Sequence, residues 1–368
     1  MKRIISFTLA LLMLLLLAGC NAGMPGDTTA NATTAATNQE TTEATEPTEP
    51  IDYEALYCPD WNYDVAEQAK SDGKLHYYFM SNEGIVRQVS YSDASTMKWG
   101  DSCLVVFPTG QTMLVDSGTY WYAPVLIGNL KQMGVEKLDY LMITHPHSDH
   151  YGGAFGVQTK TTTFLDEIKV GKVYYRAAKD PANEFESTLV QKVCAEKNIP
   201  AEFLEKGAVL QFGDVKLSVL WPNVGTSETI VSGTASINNA SIVMRFDYGE
   251  HSALFTGDLY EAGELLCITS NSADMLDVDL LKVPHHGHKT SSSELLLSAT
   301  SPELAVAEGS LNISNLVRDR FAAYEIPLMY NYINGYIHIS VGTDGKMDVT
   351  STRNDIPDAV VEEEAIGD

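Results

Sequence analysis

Six consecutive positions, His145-Pro146-His147-Ser148-Asp149-His150, hold four side chains able to bind metal ions. They follow the apolar run Leu141-Met142-Ile143-Thr144 and precede Tyr151-Gly152-Gly153. Side chains of an extended segment alternate between faces, so His145 and His147 point the same way. A turn after Ser148 then lets Asp149 and His150 face a second position, and one short loop serves two adjacent ions. Neutral imidazoles and a carboxylate suit zinc or a harder first-row ion such as manganese. Packing alone explains the cluster poorly, because His and Asp are seldom buried without a partner.

Two ions need further ligands. Asp258 closes the run Ala253-Leu254-Phe255-Thr256-Gly257-Asp258, where a carboxylate can bridge two cations. It is equally suited to N-cap a helix expected over residues 259–268. Leu281-Lys282-Val283-Pro284-His285-His286-Gly287 ends another apolar strand with paired histidines, either of which can be a ligand. Downstream, Ser291 and Glu294 have capping-box spacing, which explains the segment as a helix start. In the competing reading Lys289, Ser291 and the free amides of that helix start face an anion.

The expected cofactors are two divalent metal ions, Zn or Mn. Two cations about 3.5–4 Å apart polarise a scissile bond and bring the pKa of bound water to roughly 7, so no serine or cysteine nucleophile is needed. Asp149 is then expected to orient the attacking hydroxide as well as to bind metal. Whichever of His285 and His286 is not a ligand is expected to protonate the leaving group.

The elements that must position these residues alternate short β-type runs with amphipathic segments. Strands are predicted over residues 75–80, 102–107, 111–115, 138–144, 215–221, 241–248, 252–256 and 278–283, with a hairpin at Pro108-Thr109-Gly110. Helices are predicted over 122–133, stopped by Gly134, and near 184–197, 259–268 and 292–298. Hairpin-spaced strands mixed with helices predict an α/β layered domain whose ligands gather at loops beyond strand ends. Residues 82–97 break the pattern and read as an inserted loop.

These motifs resemble the metallo-β-lactamase superfamily, and most of all the extracellular hydrolase domain of the competence protein ComEC and its stand-alone relatives. The resemblance spans roughly residues 75–350. Besides the segments quoted above, it rests on Gly100-Asp101-Ser102, Leu114-Val115-Asp116-Ser117-Gly118 and Asn238-Asn239-Ala240-Ser241. It implies a four-layer αββα sandwich with metals at the mouth between its two sheets. It further implies that His145 and His147 hold one ion, that Asp149 and His150 hold the other, and that Asp258 bridges them. His286 is favoured over His285 to complete the second position, since the family often has a Pro-x-His-Gly turn there. Asp116 is implied to support a ligand by hydrogen bonding from behind it, as are Asn238 and Asn239, which stand where many members supply another histidine.

Two departures weigh against DNA cleavage. The family's Gly-Gln-Gly-Asp stretch is reduced to Lys98-Trp99-Gly100-Asp101, and its Gly-His-Pro element is absent from Ser310-Leu311-Asn312-Ile313-Ser314. The resemblance favours metal-dependent hydrolysis of a small or polymeric phosphodiester. A lactone, β-lactam or ester hydrolase is the enzymatic alternative, and a metal-poor binding lipoprotein with a decayed site is the alternative of another class.

Composition bounds the setting. Lys2 and Arg3, an apolar run and Leu17-Ala18-Gly19-Cys20 read as a signal peptide over residues 1–19 with a lipobox, so Cys20 is expected to carry lipid. Residues 20–50, rich in Thr, Ala and Glu, are expected to be a solvated tether, followed by a lead-in over 51–74, the domain over 75–350 and an acidic tail over 351–368. The protein is thus expected outside the cytoplasm, lipid-anchored to a bacterial membrane. Of the five cysteines, Cys58, Cys103, Cys194 and Cys267 remain, and buried thiols explain them without a metal or catalytic role. The net charge is −25, and residues 70–350 carry 21 basic against 33 acidic side chains, a balance of −12. With no basic stripe to neutralise phosphates, tight nucleic-acid binding is not expected.

Overall fold

The computed structural model describes residues 61–81, 100–157, 160–176, 184–223, 234–309 and 313–353. Cys20 and its lipobox, the tether, Cys58, the insertion at 82–97, Lys98-Trp99, residues 310–312 and nearly all of the acidic tail lie outside them.

Fifteen strands are described: β1 (Leu75–Phe79), β2 (Cys103–Val106), β3 (Thr112–Val115), β4 (Lys137–Ile143), β5 (Lys169–Tyr175), β6 (Ala201–Phe203), β7 (Val209–Phe212), β8 (Val215–Trp221), β9 (Val243–Tyr248), β10 (His251–Phe255), β11 (Leu280–Lys282), β12 (Leu304–Ala307), β13 (Leu328–Tyr330), β14 (Ile337–Val341) and β15 (Met347–Ser351). One sheet runs β15-β14-β1-β2-β3-β4-β5-β6 and the other β13-β12-β11-β10-β9-β8-β7. The expected hairpin is the antiparallel pair β2–β3, with Cys103 opposite Val115.

Period-two alternation assigns each strand's side chains to two different cores. On β1, Leu75, Tyr77 and Phe79 join Phe246, Phe255, Leu280 and Val306 between the sheets. The intervening Tyr78 faces out, into a layer with Leu126, Ile127, Tyr151 and Val190 from the helices Ala123–Gln132, Ser148–Phe155 and Glu184–Glu196. Across the domain, Leu254 and Leu281 face out toward Cys267, Leu297 and Phe321, from the helices Glu261–Ser270, Glu294–Thr300 and Asn315–Ala323. The result is the four-layer αββα sandwich. Cys103, Cys194 and Cys267 are buried free thiols, as their apolar surroundings predict.

Parallel pairing sets up the site. β3 and β4 run parallel in one sheet, and β10, β11 and β12 run parallel in the other. Their carboxyl ends lead into Asp116, His145, Asp258, His285 and Glu308, and strand ends of this kind are where open α/β sheets collect ligands.

Candidate metal centre

β4 ends at Ile143, and the helix Ser148–Phe155 begins directly after His147, its N-cap. The turn expected after Ser148 is therefore the first turn of a helix, which sets Asp149 and His150 about 100° apart around its axis. The helix lies hard against the turn after β3. A Cβ on Gly153 would lie 1.9 Å from the Ser117 carbonyl oxygen, so the motif's second glycine is what permits this approach.

Asp258 lies at the middle of the cluster. Its Oδ2 is 3.1 Å from His150 Nε2, 3.2 Å from His286 Nε2, and 3.9 Å from both His145 Nε2 and His285 Nε2. Asp149 Oδ2 is 3.4 Å from His286 Nε2. The ligand atoms of Asp149, His150, Asp258 and His286 all fall within 4.8 Å of one another, the spacing of a cation's coordination shell. His145 Nε2 and His147 Nδ1 are 3.0 Å apart, and the His145 ring lies 4.1 Å from that of His150. Among the described residues, Asp258 Oδ1 and His150 Nε2 are buried and find no hydrogen-bond partner. An uncompensated buried polar atom is costly, and two facing one small space fit a cation between them.

His285 and His286 adopt left-handed backbone, with φ of 49° and 55°. This conformation costs of order 1–3 kcal/mol at a non-glycine residue and tends to cluster at functional sites. Here it turns the chain sharply after β11. The two rings then diverge: His286 is buried among the carboxylates, while His285 keeps 14% exposure, with Nδ1 at 2.7 Å from Thr290 Oγ1 and its ring 4.7 Å from that of Tyr260.

Two carboxylates support the imidazoles from behind. Asp116 accepts from the Thr144 amide at 2.8 Å and the Thr144 hydroxyl at 2.7 Å, and lies 2.8 Å from His150 Nδ1. Asp101 lies 2.7 Å from His286 Nδ1 and pairs with buried Lys282, which also donates to the Gly257 carbonyl. Asp101, Asp116 and His150 also lie close enough to form a cation-binding group, but both carboxylates are already engaged by imidazole nitrogens.

Several expectations are corrected. Asp258 does not cap the next helix. Asn239 does, its Oδ1 accepting the amides of Tyr260 and Gly263 at 3.1 Å, so Asn239 supports the helix Glu261–Ser270 rather than a ligand. Asn238 is buried, and its side chain lies within hydrogen-bonding reach of His147. The cap of the helix Glu294–Thr300 is Ser293, bonded to the Leu296 amide at 3.2 Å, in place of the expected Ser291–Glu294 box. The amides of Ser292 and Ser293, expected to face an anion, donate to the Glu264 carboxylate at 2.6 and 2.9 Å. Ser291 is buried and Lys289 half-buried, which leaves Lys289 as the member of that pair open to solvent.

Charge sorts the cluster. Burial alone would raise Asp258, but the charges of His150 and His286 hold it well below the usual carboxylate range. Burial alone would lower His150 and His286, and the surrounding carboxylates, Asp258 foremost, raise both instead. His145, where burial dominates, is pushed well down, and His285 is pushed down to about 4 for the same reason. The centre is thus a buried concentration of carboxylate charge that favours cations.

The sequence profile of the metallo-β-lactamase superfamily matches residues 99–307, which include every ligand-type side chain described above. The chain belongs to the metallo-β-lactamase superfamily. This metallo-β-lactamase domain is ComEC-like. It is 28% identical over 253 residues to ComE operon protein 3 of Bacillus subtilis, covering 64% of this chain and 30% of that protein. It is also 28% identical over 266 residues to competence protein ComA of Neisseria gonorrhoeae, covering 70% and 34%. The chain therefore spans about a third of the length of these relatives. Among solved structures it is similar to the metallo-β-lactamase fold protein YhfI of Bacillus subtilis, at 11% identity and a TM-score of 0.44, covering 75% of this chain and 99% of that one.

In this metallo-β-lactamase domain the sequence reading missed Lys282, Glu308 and the role of Asp101. One signal was available: Lys282 interrupts the apolar run Leu280-Leu281-Lys282-Val283, and a lysine in a buried strand demands a partner. Its partner lies 181 positions away, beyond any local pattern.

Proposed function

We propose that this chain is a two-cation hydrolase of phosphodiester bonds, acting outside the cytoplasm from a lipid anchor at Cys20. The observation that carries the reading is the position of Asp258 Oδ2 within 3.9 Å of four imidazole nitrogens. In this reading His145, His147 and Asp258 hold one cation, and Asp149, His150, Asp258 and His286 hold the other. When bound, such a pair acts as a Lewis acid on the scissile group and acidifies water.

The remaining chemistry falls to the chain itself. Asp149 is partly exposed, unlike Asp258, so its carboxylate can reach an incoming water and orient it. With the proton of His285 at Nε2, Thr290 donates to Nδ1 and fixes the ring, so that Nε2–H can offer a hydrogen bond to the substrate. The name of the competence relative ComA is what favours a phosphodiester class over the lactone or ester alternative. The −12 balance favours a small diester over long duplex DNA, which is held through many cationic contacts.

The test uses the purified full chain. Metal content is measured, then turnover of bis-p-nitrophenyl phosphate, duplex DNA and nitrocefin with zinc and with manganese. The expected result is two ions per chain, diester turnover abolished by chelator or by Asp149→Ala, and weak DNA binding. Steeply salt-dependent duplex binding with efficient cleavage overturns the small-diester reading. Nitrocefin turnover alone overturns the diester class, and absence of bound metal from a metal-replete preparation overturns the enzyme reading.

A further inference from the structure

The geometry points to Lys282 as a positioning residue that sets how tightly the cation position at His286 is filled, an inference that rests on the two-cation reading above. Lys282 ends β11 at 2% exposure, the lone lysine in the buried class among the described residues. Its ammonium pairs with Asp101 Oδ2 and donates to the Gly257 carbonyl at 3.2 Å. Asp101 uses its other oxygen, Oδ1, to take Nδ1 of His286 at 2.7 Å. Gly257, Lys282, Asp101 and His286 thus form a continuous chain of polar contacts that ends at His286 Nε2, which lies 3.2 Å from Asp258 and 3.4 Å from Asp149.

The two supporting carboxylates are held differently. Asp116 is fixed by the amide and hydroxyl of Thr144, neutral donors from the strand connection that also carries His145. Among the described residues the Asp101 carboxylate has two donors, His286 itself and Lys282. Without Lys282, Oδ2 loses its partner, and nothing else described holds the carboxylate plane against His286. That plane fixes which imidazole nitrogen carries the proton and where the ring points, and displacing such outer partners typically costs about 10–100-fold in metal affinity. Glu308, buried beside them and accepting the Ser102 amide at 3.0 Å, is pushed well above the usual carboxyl range by burial and by the charge of Asp101, so Asp101 is the carboxylate that Lys282 pairs with. Lys282 makes no hydrogen bond to any of the ligand side chains; it acts on His286 through Asp101, and its charge also lies near Asp258.

Lys282→Met retains the length of the side chain and removes its charge. Zinc binding to the full chain is measured by competition with a chromophoric chelator, beside His286→Ala and His147→Ala as references for the two positions. The expected result is that Lys282→Met keeps one ion with wild-type affinity and binds the second about 10–100-fold more weakly, like His286→Ala, and that combining it with His147→Ala weakens both. Should Lys282→Met fail to fold, Lys282→Met with Asp101→Asn removes both charges of the buried pair, a change cores often tolerate; compared with Asp101→Asn alone it is expected to bind the second ion equally weakly, because Lys282 acts through Asp101, and a further loss in the double variant overturns the inference. A folded variant whose two zinc affinities lie within about twofold of wild type overturns the inference while leaving the two-cation reading intact. A wild-type chain that binds no zinc overturns both.

Discussion

Asp116 Oδ2 lies 2.8 Å from His150 Nδ1, and the same carboxylate takes the amide and hydroxyl of Thr144. This contact leaves His150 Nε2 as the nitrogen facing Asp258 at 3.1 Å. Asp116→Ala is therefore expected to weaken the cation position at His150 by about 10–100-fold while the fold persists. Zinc titration of the variant, with circular dichroism to confirm folding, checks it. Unchanged affinity would show that His150 is oriented by its helix alone.

Gly153→Ala is expected to destabilise the protein by about 1–3 kcal/mol through overpacking. The added methyl meets the Ser117 carbonyl oxygen at 1.9 Å, and backbone on both sides cannot step aside cheaply. Urea unfolding measures this. Separating the helix from the turn also moves Asp149 and His150, so cation affinity falls with stability; a variant as stable as wild type would mean that the helix shifts freely.

Stability should fall on mild acidification for a reason remote from the metal centre. Burial lowers His251 to about 4 and His338 to about 3. Unfolded, both take up a proton near pH 6.5; folded, neither does until their lowered values are reached. The stability is thus complete above about pH 6.5 and drains away as pH falls from there toward 4, by about 2 kcal/mol per residue at pH 5. His251→Asn should make the loss between pH 8 and pH 5, read from urea unfolding, about 2 kcal/mol smaller. An identical loss in the variant would remove His251 from the account.

Cys20→Ser should prevent lipidation and release the protein from the membrane fraction, because the apolar run before it is shorter than the about 20 residues that normally span a bilayer. Fractionation with mass spectrometry of the amino terminus decides this. A variant retained on the membrane and uncleaved contradicts the lipobox.

Sequence alone determined an α/β layered class and the ligand types, and the resemblance to a family supplied the four layers. β1 and β10 are buried along their whole length, so both faces had to be covered, and which core each side chain joins was decided only by what packs on either side. The His145–His150 segment was legible because its chemistry is contiguous. Caps were read less well, because the partner of a helix end need not be near in sequence. Asn239 took the cap that Asp258 was equally suited to supply, Ser293 took the cap expected of Ser291, and Glu264 filled amides that looked free. What only the tertiary structure decided is which distant groups meet. His286 rather than His285 turns inward because left-handed backbone after β11 aims it at Asp149. Lys282 finds Asp101 only because the ends of β11 and of the segment before β2 converge where the two sheets face one another. Burial makes that pairing obligatory, and no local pattern could have named its partner.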